Sequence, residues 1–243
     1  MEHWQDQGIV LSVRGHGESG AIVSLLTAQH GRHAGYVHGA RSSRKQGLCE
    51  AGNLVEVDWN SRVSDNLGGY DLGLLQPIAA RVMDDPLKLA ALQSACGLCN
   101  ETLPERDVHE GLFQGLLTLL EIIQNEDDAA IWGAAYVMWE IALLRELGFA
   151  LDISRCAGGG DARELAYISP RTGCAVSWQA GEPYKDKLLP LPGFLKPNGG
   201  AGDIEDVKTG LRLTAYFLEH RALIHSRTGM PEGRVRLFQR LGP

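Results

Sequence analysis

Five short apolar runs within the first 75 residues, separated by Gly, Ser and Asn, leave the amino-terminal part of this chain little room for anything but a small β structure. They are Ile9 to Val13, Ala21 to Leu26, Ala34 to His38, Leu54 to Trp59 and Tyr70 to Leu75. In the fourth run Glu56 and Asp58 alternate with apolar neighbours, as a half-buried strand requires. A small barrel or a sandwich follows. The run from Ala21 to Leu26 has no period of its own and is also compatible with helix.

Beyond Pro77 the period changes. Asp84-Asp85-Pro86 supplies start signals before Leu87, Leu89, Ala90, Leu92 and Ala95. Asp107 followed by Glu110 resembles a capping box and opens a second helix carrying Val108, Leu112, Leu116, Leu119 and Ile123. A third is expected from about Asp128 to Leu147, with Gly148 placed to end it, and the three should form a bundle. Residues 156–202, rich in Gly and Pro, read as irregular connections. A helix resumes at Asp203, with Ile204, Val207, Leu211, Ala215, Leu218 and Ala222 on one stripe and Lys208, Arg212, Glu219 and His220 on the other face. The expected fold class is α+β: a β-barrel domain over 1–78, an all-α helical domain over 79–155 and 203–243, and an irregular insertion over 156–202.

With 243 residues, 44% apolar and 22% charged, the chain can bury a sizeable core and is not of disordered composition. No apolar run approaches the roughly 18 residues of a membrane span. Met1-Glu2-His3-Trp4-Gln5-Asp6 has no basic and apolar leader character, so a cytoplasmic location without membrane partners is expected. Cys49, Cys96, Cys99, Cys156 and Cys174 are scattered over unlike regions and read as reduced thiols.

A net charge of −7 seems to oppose a polyanionic partner, but its distribution does not. From Arg14 to Lys45 there are five basic residues (Arg14, Arg32, Arg41, Arg44, Lys45) against Glu18 alone, with His16, His30, His33 and His38 as further donors. From Lys208 to Pro243 seven basic residues face two acids. Such local patches decide where phosphates dock.

Sites for covalent chemistry are not found. Gly15-His16-Gly17-Glu18-Ser19-Gly20 matches G-x-G-x-x-G, which would hold pyrophosphate if residues 21–29 were a helix. The acid that would bind a ribose hydroxyl is missing, because none occurs between Glu18 and Glu50. A glycine-rich strand connection is the preferred reading, and a nucleotide-dependent oxidoreductase is the enzyme alternative. Gly39 to Lys45 fails as a phosphate loop of an NTPase, since Arg44 and Gln46 replace its second glycine and its hydroxyl residue. No nucleophile elbow and no zinc-protease motif is present, so neither catalytic residues nor a cofactor is expected. Cys96-Gly97-Leu98-Cys99 is a single pair inside a helical pattern and reads as buried thiols rather than a metal site. His30 and His33 read as surface or phosphate-facing donors.

Gln7-Gly8-Ile9-Val10-Leu11, Gly17-Glu18-Ser19, Leu25-Leu26-Thr27, His30-Gly31 and Gly39-Ala40-Arg41-Ser42-Ser43-Arg44 resemble, in order and spacing, the amino-terminal region of the DNA repair protein family RecO. The resemblance continues through Leu54-Val55-Glu56-Val57, Leu74-Leu75-Gln76-Pro77, Glu146 to Asp152 and Ala166-Tyr167-Ile168-Ser169-Pro170. It implies an OB-fold barrel, a helical domain and a peripheral insertion that in some members binds zinc through four cysteines. Here only Cys156 and Cys174 are retained, and two thiolates do not close a tetrahedral site, so no metal is expected. The resemblance further implies binding of single- and double-stranded DNA, annealing of complementary strands, and action with RecR to load RecA onto DNA coated by single-stranded-DNA-binding protein. The C-terminal tail of that coating protein would dock on the helical domain.

The residues assign themselves accordingly. Arg14, Arg32, Arg41, Arg44 and Lys45 are the expected phosphate track, with His33, His38 and Ser42 as secondary donors. Tyr36 is the one aromatic of this stretch and stacks on bases only if it points outward, which alternation alone does not fix. Lys208 and Arg212 are candidate anchors for the acidic tail. Arg234 to Arg240 alternates basic and apolar residues and either extends the track or docks by its apolar positions. A helical scaffold whose barrel binds only protein is the remaining alternative.

Overall fold

The computed structural model describes residues 2–42, 45–62 and 67–242. The expected strands form: β1 (Glu2–His16), β2 (Gly20–Thr27), β3 (Gly31–Val37), β4 (Leu54–Ser61) and β5 (Gly69–Gln76). They close into a barrel in the order β1-β2-β3-β5-β4, with β3 and β5 parallel. This is an OB-fold-like barrel. Closure depends on β1, whose first half pairs with β4 from Glu2↔Ser61 to Ile9↔Leu54 and whose second half pairs with β2 from Gly8↔Thr27 to His16↔Gly20. An irregularity between Val10 and Ser12 bends the strand between its two partners. Val10, Val23, Leu25, Val37, Val55, Val57, Trp59 and Leu72 fill the interior.

Because β2 is a strand, Gly15 to Gly20 is the end of a β-hairpin, with Gly17 at φ 67°. The oxidoreductase reading is thereby overturned: a dinucleotide turn needs the N–H groups of a helix N-terminus, and extended β2 supplies none.

Helices follow as α1 (Ile78–Val82), α2 (Pro86–Thr102), α3 (Glu110–Asn125) and α4 (Ala129–Glu146). Asp85 caps α2 by accepting from the N–H groups of Leu87 and Lys88, and Asp128 caps α4 through the N–H of Ala130. The helix expected at Asp107 starts three residues later. The preceding segment is used instead as a strap on β3: the Arg106 N–H donates to the Arg32 carbonyl at 2.8 Å.

The stretch expected to be irregular contains order that its glycines and prolines conceal. β6 (Leu165–Ile168), β7 (Ala175–Ser177) and β8 (Leu189–Pro190) form a three-stranded sheet in the order β7-β6-β8, flanked by the short α5 (Trp178–Gly181). Leu165, Tyr167, Ile168 and Ala175 are buried there, which gives this sheet its own core. The last helices are α6 (Ile204–Phe217) and α7 (Glu232–Arg240).

The chain makes two compact units, Met1–Gln124 with Pro231–Arg240, and Asn125–Met230 with Leu241–Pro243. The helices read as one bundle are therefore divided. In the first unit α7 packs on α2, burying Arg234 and Leu237 and leaving Arg236 and Arg240 exposed, so the basic and apolar alternation of this segment becomes a docked helix. In the second unit α6 packs on α4, where the Thr214 hydroxyl donates to the buried Glu140 carboxylate.

Candidate nucleic-acid interface

Side chains directly opposite one another on paired strands share a face. Arg14 pairs with Ile22, and Ile22 with Tyr36, so the three form one row on the outside of the barrel. Along β3, His33, Gly35 and Val37 are buried whereas Arg32, Ala34 and Tyr36 are half-exposed, which settles that Tyr36 points outward. Its ring meets His38 edge-on at 4.6 Å and His16 at 5.9 Å. Gly20 makes room for it, since a Cβ there would overlap the tyrosine hydroxyl.

Arg41 is brought back to the same hairpin from the loop after β3. Its N–H donates to the Ser19 carbonyl at 3.2 Å, and its guanidinium lies where a Cβ on Gly15 would be. Residues 14 and 15 of a strand face opposite ways, so Arg14 and Arg41 bracket the hairpin on its two faces. Neither guanidinium has a carboxylate partner among the described residues. Ser42 closes the loop by donating its hydroxyl to the Gly39 carbonyl at 2.7 Å. Lys45 stands 3.8 Å from the exposed Asp71, a contact of little strength in water. Arg44, expected on the same track, lies outside the described residues.

Two expected members are placed elsewhere. Arg32 donates through Nε to the Leu103 carbonyl at 2.7 Å and lies 3.4 Å from Glu105, fixing the strap of residues 103–107 over the far end of β3. A guanidinium so employed is withdrawn from phosphates. His33 faces the interior, 4% exposed, with Nδ1 2.8 Å from the Tyr70 hydroxyl and its ring edge-on to Trp4 and Trp59. Burial first, then the charges of Arg106 and His30, bring its pKa down to about 4. It is neutral at physiological pH and is no phosphate donor.

The sign of this shift sets a stability trend. The unfolded chain takes a proton on His33 near 6.5 and the folded chain only near 4, so between those values the unfolded state binds more protons and stability falls as acid is added. Urea midpoints measured from neutral pH down through this window are expected to decline, and His33→Gln should remove up to about 3 kcal/mol of that decline. Parallel declines in the two chains would show that His33 does not drive it.

The sequence reading passed over a stacked group at the start of β1. Trp4 lies between His30, at 4.0 Å and 9° interplanar angle, and Trp59, at 5.4 Å. His30 is held by the buried Asp6 carboxylate at 2.9 Å, which also accepts from the Gln29 N–H at 2.8 Å. His30 thus serves this stack rather than a ligand surface. Polar Glu2, His3, Gln5 and Gln7 hide the strand period here, and Trp4 followed two residues later by Asp6 was the only signal.

In the second unit, Lys208 is 4% exposed and its Nζ donates to Glu205 at 2.7 Å, which removes it from the surface where an acidic tail would dock. One residue past buried Val207, it lies only about 100° around the helix from the packed stripe, and its stem is covered with it. Arg212 is exposed on α6. Cys96 and Cys99 are fully buried in α2, and burial pushes Cys96 up to about 12. For Cys156 burial pushes upward, but its side-chain hydrogen bond with the Ser177 hydroxyl and hydrogen bonds from the N–H groups of Ser177, Gly160 and Gly158 leave the thiol below its ordinary value. Gly159 and Ser177 occupy the positions at which second cysteines would complete the two C-x-x-C pairs, and Ser177 is spent on Cys156. The residues present do not fit a four-ligand zinc site.

An OB-fold-like barrel with an outward tyrosine and, around a hairpin, guanidinium groups that have no carboxylate partner among the described residues has the features of barrels that bind nucleic-acid strands. Residues 1–75 match the family model "Recombination protein O N terminal" and residues 83–228 match "Recombination protein O C terminal". The chain is 47% identical to the DNA repair protein RecO of Rhodospirillum centenum over 98% of its own length and 94% of that protein's. It is 44% identical to that of Rhodospirillum rubrum (99% and 97%) and 42% identical to that of Caulobacter vibrioides strain NA1000 (98% and 97%). The chain belongs to the RecO family of DNA repair and recombination proteins. No helix among the described residues is long and apolar enough to cross a membrane.

Proposed function

We propose that this chain is a non-catalytic recombination mediator that binds single- and double-stranded DNA through its barrel. The observation that carries the reading is the pair of guanidinium groups, Arg14 and Arg41, which have no acidic partner among the described residues and stand on either side of the β1–β2 hairpin in a chain of net charge −7. Phosphate contacts of this kind fix a strand without reading its sequence. Tyr36, His38 and Lys45 extend the surface, and Arg44 is proposed as a further phosphate contact from its sequence alone; Ser42, whose hydroxyl proton goes to the Gly39 carbonyl, and Arg32 and His33 do not belong to it. Neutralising two strands together lowers their mutual repulsion and promotes annealing without nucleotide hydrolysis.

In the cell it works in the bacterial cytoplasm, at the nucleoid, with RecR, and helps RecA onto DNA coated by single-stranded-DNA-binding protein. Exposed Arg212 on α6 is the anchor proposed for that protein's acidic C-terminal tail. Filter binding of a single-stranded oligonucleotide over a salt series tests the core of the proposal. The logarithm of the affinity is expected to fall linearly with the logarithm of salt concentration. No binding at low salt would favour a scaffold whose barrel meets only protein.

A further inference from the structure

We infer that the mouth of the barrel beside Arg41 is a base pocket, which takes one nucleobase from a bound single strand and favours bases that carry an exocyclic amino group. The inference rests on the DNA-binding reading above and adds to it a site that reads base chemistry.

A cavity of about 460 Å³ opens here, within the range that small-molecule sites occupy. Val13, Gly15 and Ala21 of the hairpin form one wall, Ala40 and Arg41 a second, and Gln46, Cys49 and Glu50 a third. The apolar lining suits a flat aromatic ring. Val13 is 42% exposed although its strand neighbours Ile9, Val10 and Leu11 are buried, so its side chain is available as a face for such a ring. Cys49 is buried, and burial pushes its thiol pKa up, so Cys49 itself adds no charge to that wall.

The polar groups are unequal. Arg41, laid across Gly15, is placed for the phosphate of the strand that delivers the base. Gln46 both donates and accepts and does not discriminate. Glu50 only accepts when ionised, and carboxylates pair with the amino group of cytosine. Thymine has no amino group and would turn carbonyl oxygens toward Glu50. The same negative charge disfavours a phosphate or an acidic peptide as the occupant.

Fluorescence anisotropy of the full chain with oligo(dC) and oligo(dT) of equal length, at neutral pH and matched salt, tests this. Oligo(dC) is expected to bind about five- to tenfold more tightly, the equivalent of one hydrogen bond to a charged group. Glu50→Gln, an exposed position where folding is not at stake, is expected to tighten oligo(dT) and shrink the preference below twofold, because the amide can donate to a thymine carbonyl. A single 2-aminopurine in an oligo(dT) strand should brighten on binding as it leaves its stack. Equal affinity for the two strands, with salt-sensitive binding intact, overturns the pocket and leaves the DNA-binding reading standing. A preference that survives Glu50→Gln also overturns it. Failure to bind either strand overturns both.

Discussion

A chain carrying Arg14→Ala and Arg41→Ala is expected to bind single-stranded DNA roughly thirtyfold more weakly at low salt, counting a little over 1 kcal/mol for each phosphate contact. The slope of log affinity against log salt should flatten by roughly 1.4, since each neutralised phosphate of a single strand contributes about 0.7. Both side chains are exposed, so stability should hardly change. Arg32→Ala is the informative contrast. It lies in the same basic stretch, but its guanidinium ties the strap through the Leu103 carbonyl. Its loss should lower the denaturation midpoint while the salt slope stays where it was. If Arg32→Ala flattens the slope as much as the double variant does, the barrel binds DNA over the strap end of β3, and the hairpin assignment fails.

The second large effect concerns the same strap. Gly31→Ala is expected to destabilise the first unit by roughly 3 kcal/mol: about 1 to 2 for a side chain at positive φ and the rest for displacing backbone. Gly31 sits at φ 66°, and a Cβ there would overlap the carbonyl group of Asp107. Gly17 provides the control, at φ 67° with open space around it, so that Gly17→Ala meets only the conformational cost. Urea denaturation of the two variants separates these contributions. Equal losses would mean that the strap yields freely and holds nothing in place.

What could be read in the sequence follows from the range of the forces involved. β4 announced itself because alternation is local, β2 showed only as an apolar run that helix would also allow, and the Asp85 and Asp128 caps were readable because a helix start needs only a few neighbouring residues. The division between Arg14 and Arg32 was not readable. Both are basic residues of β strands, and only the arrival of residues 103–107, some seventy positions later, distinguishes the occupied guanidinium of Arg32 from that of Arg14, which has no carboxylate partner among the described residues. His33 illustrates the same limit: parity along β3 follows from the alternation, but which parity faces inward depends on Trp4, Trp59 and Tyr70 arriving from other strands. Lys208 was missed because a helical stripe was drawn too narrowly. Short β6 to β8 stayed hidden because two to four residues are too few to show a period.

The double duty of β1 bears on synthesis at the ribosome. Its later half can zip onto β2 once residue 27 has emerged, whereas its earlier half has no neighbour until residues 54–61 follow. Throughout that interval the nascent protein presents an open edge, of the kind that recruits other chains. Glu2, Gln5 and Gln7, exposed in the finished barrel, supply the polar fringe that discourages such pairing while translation proceeds.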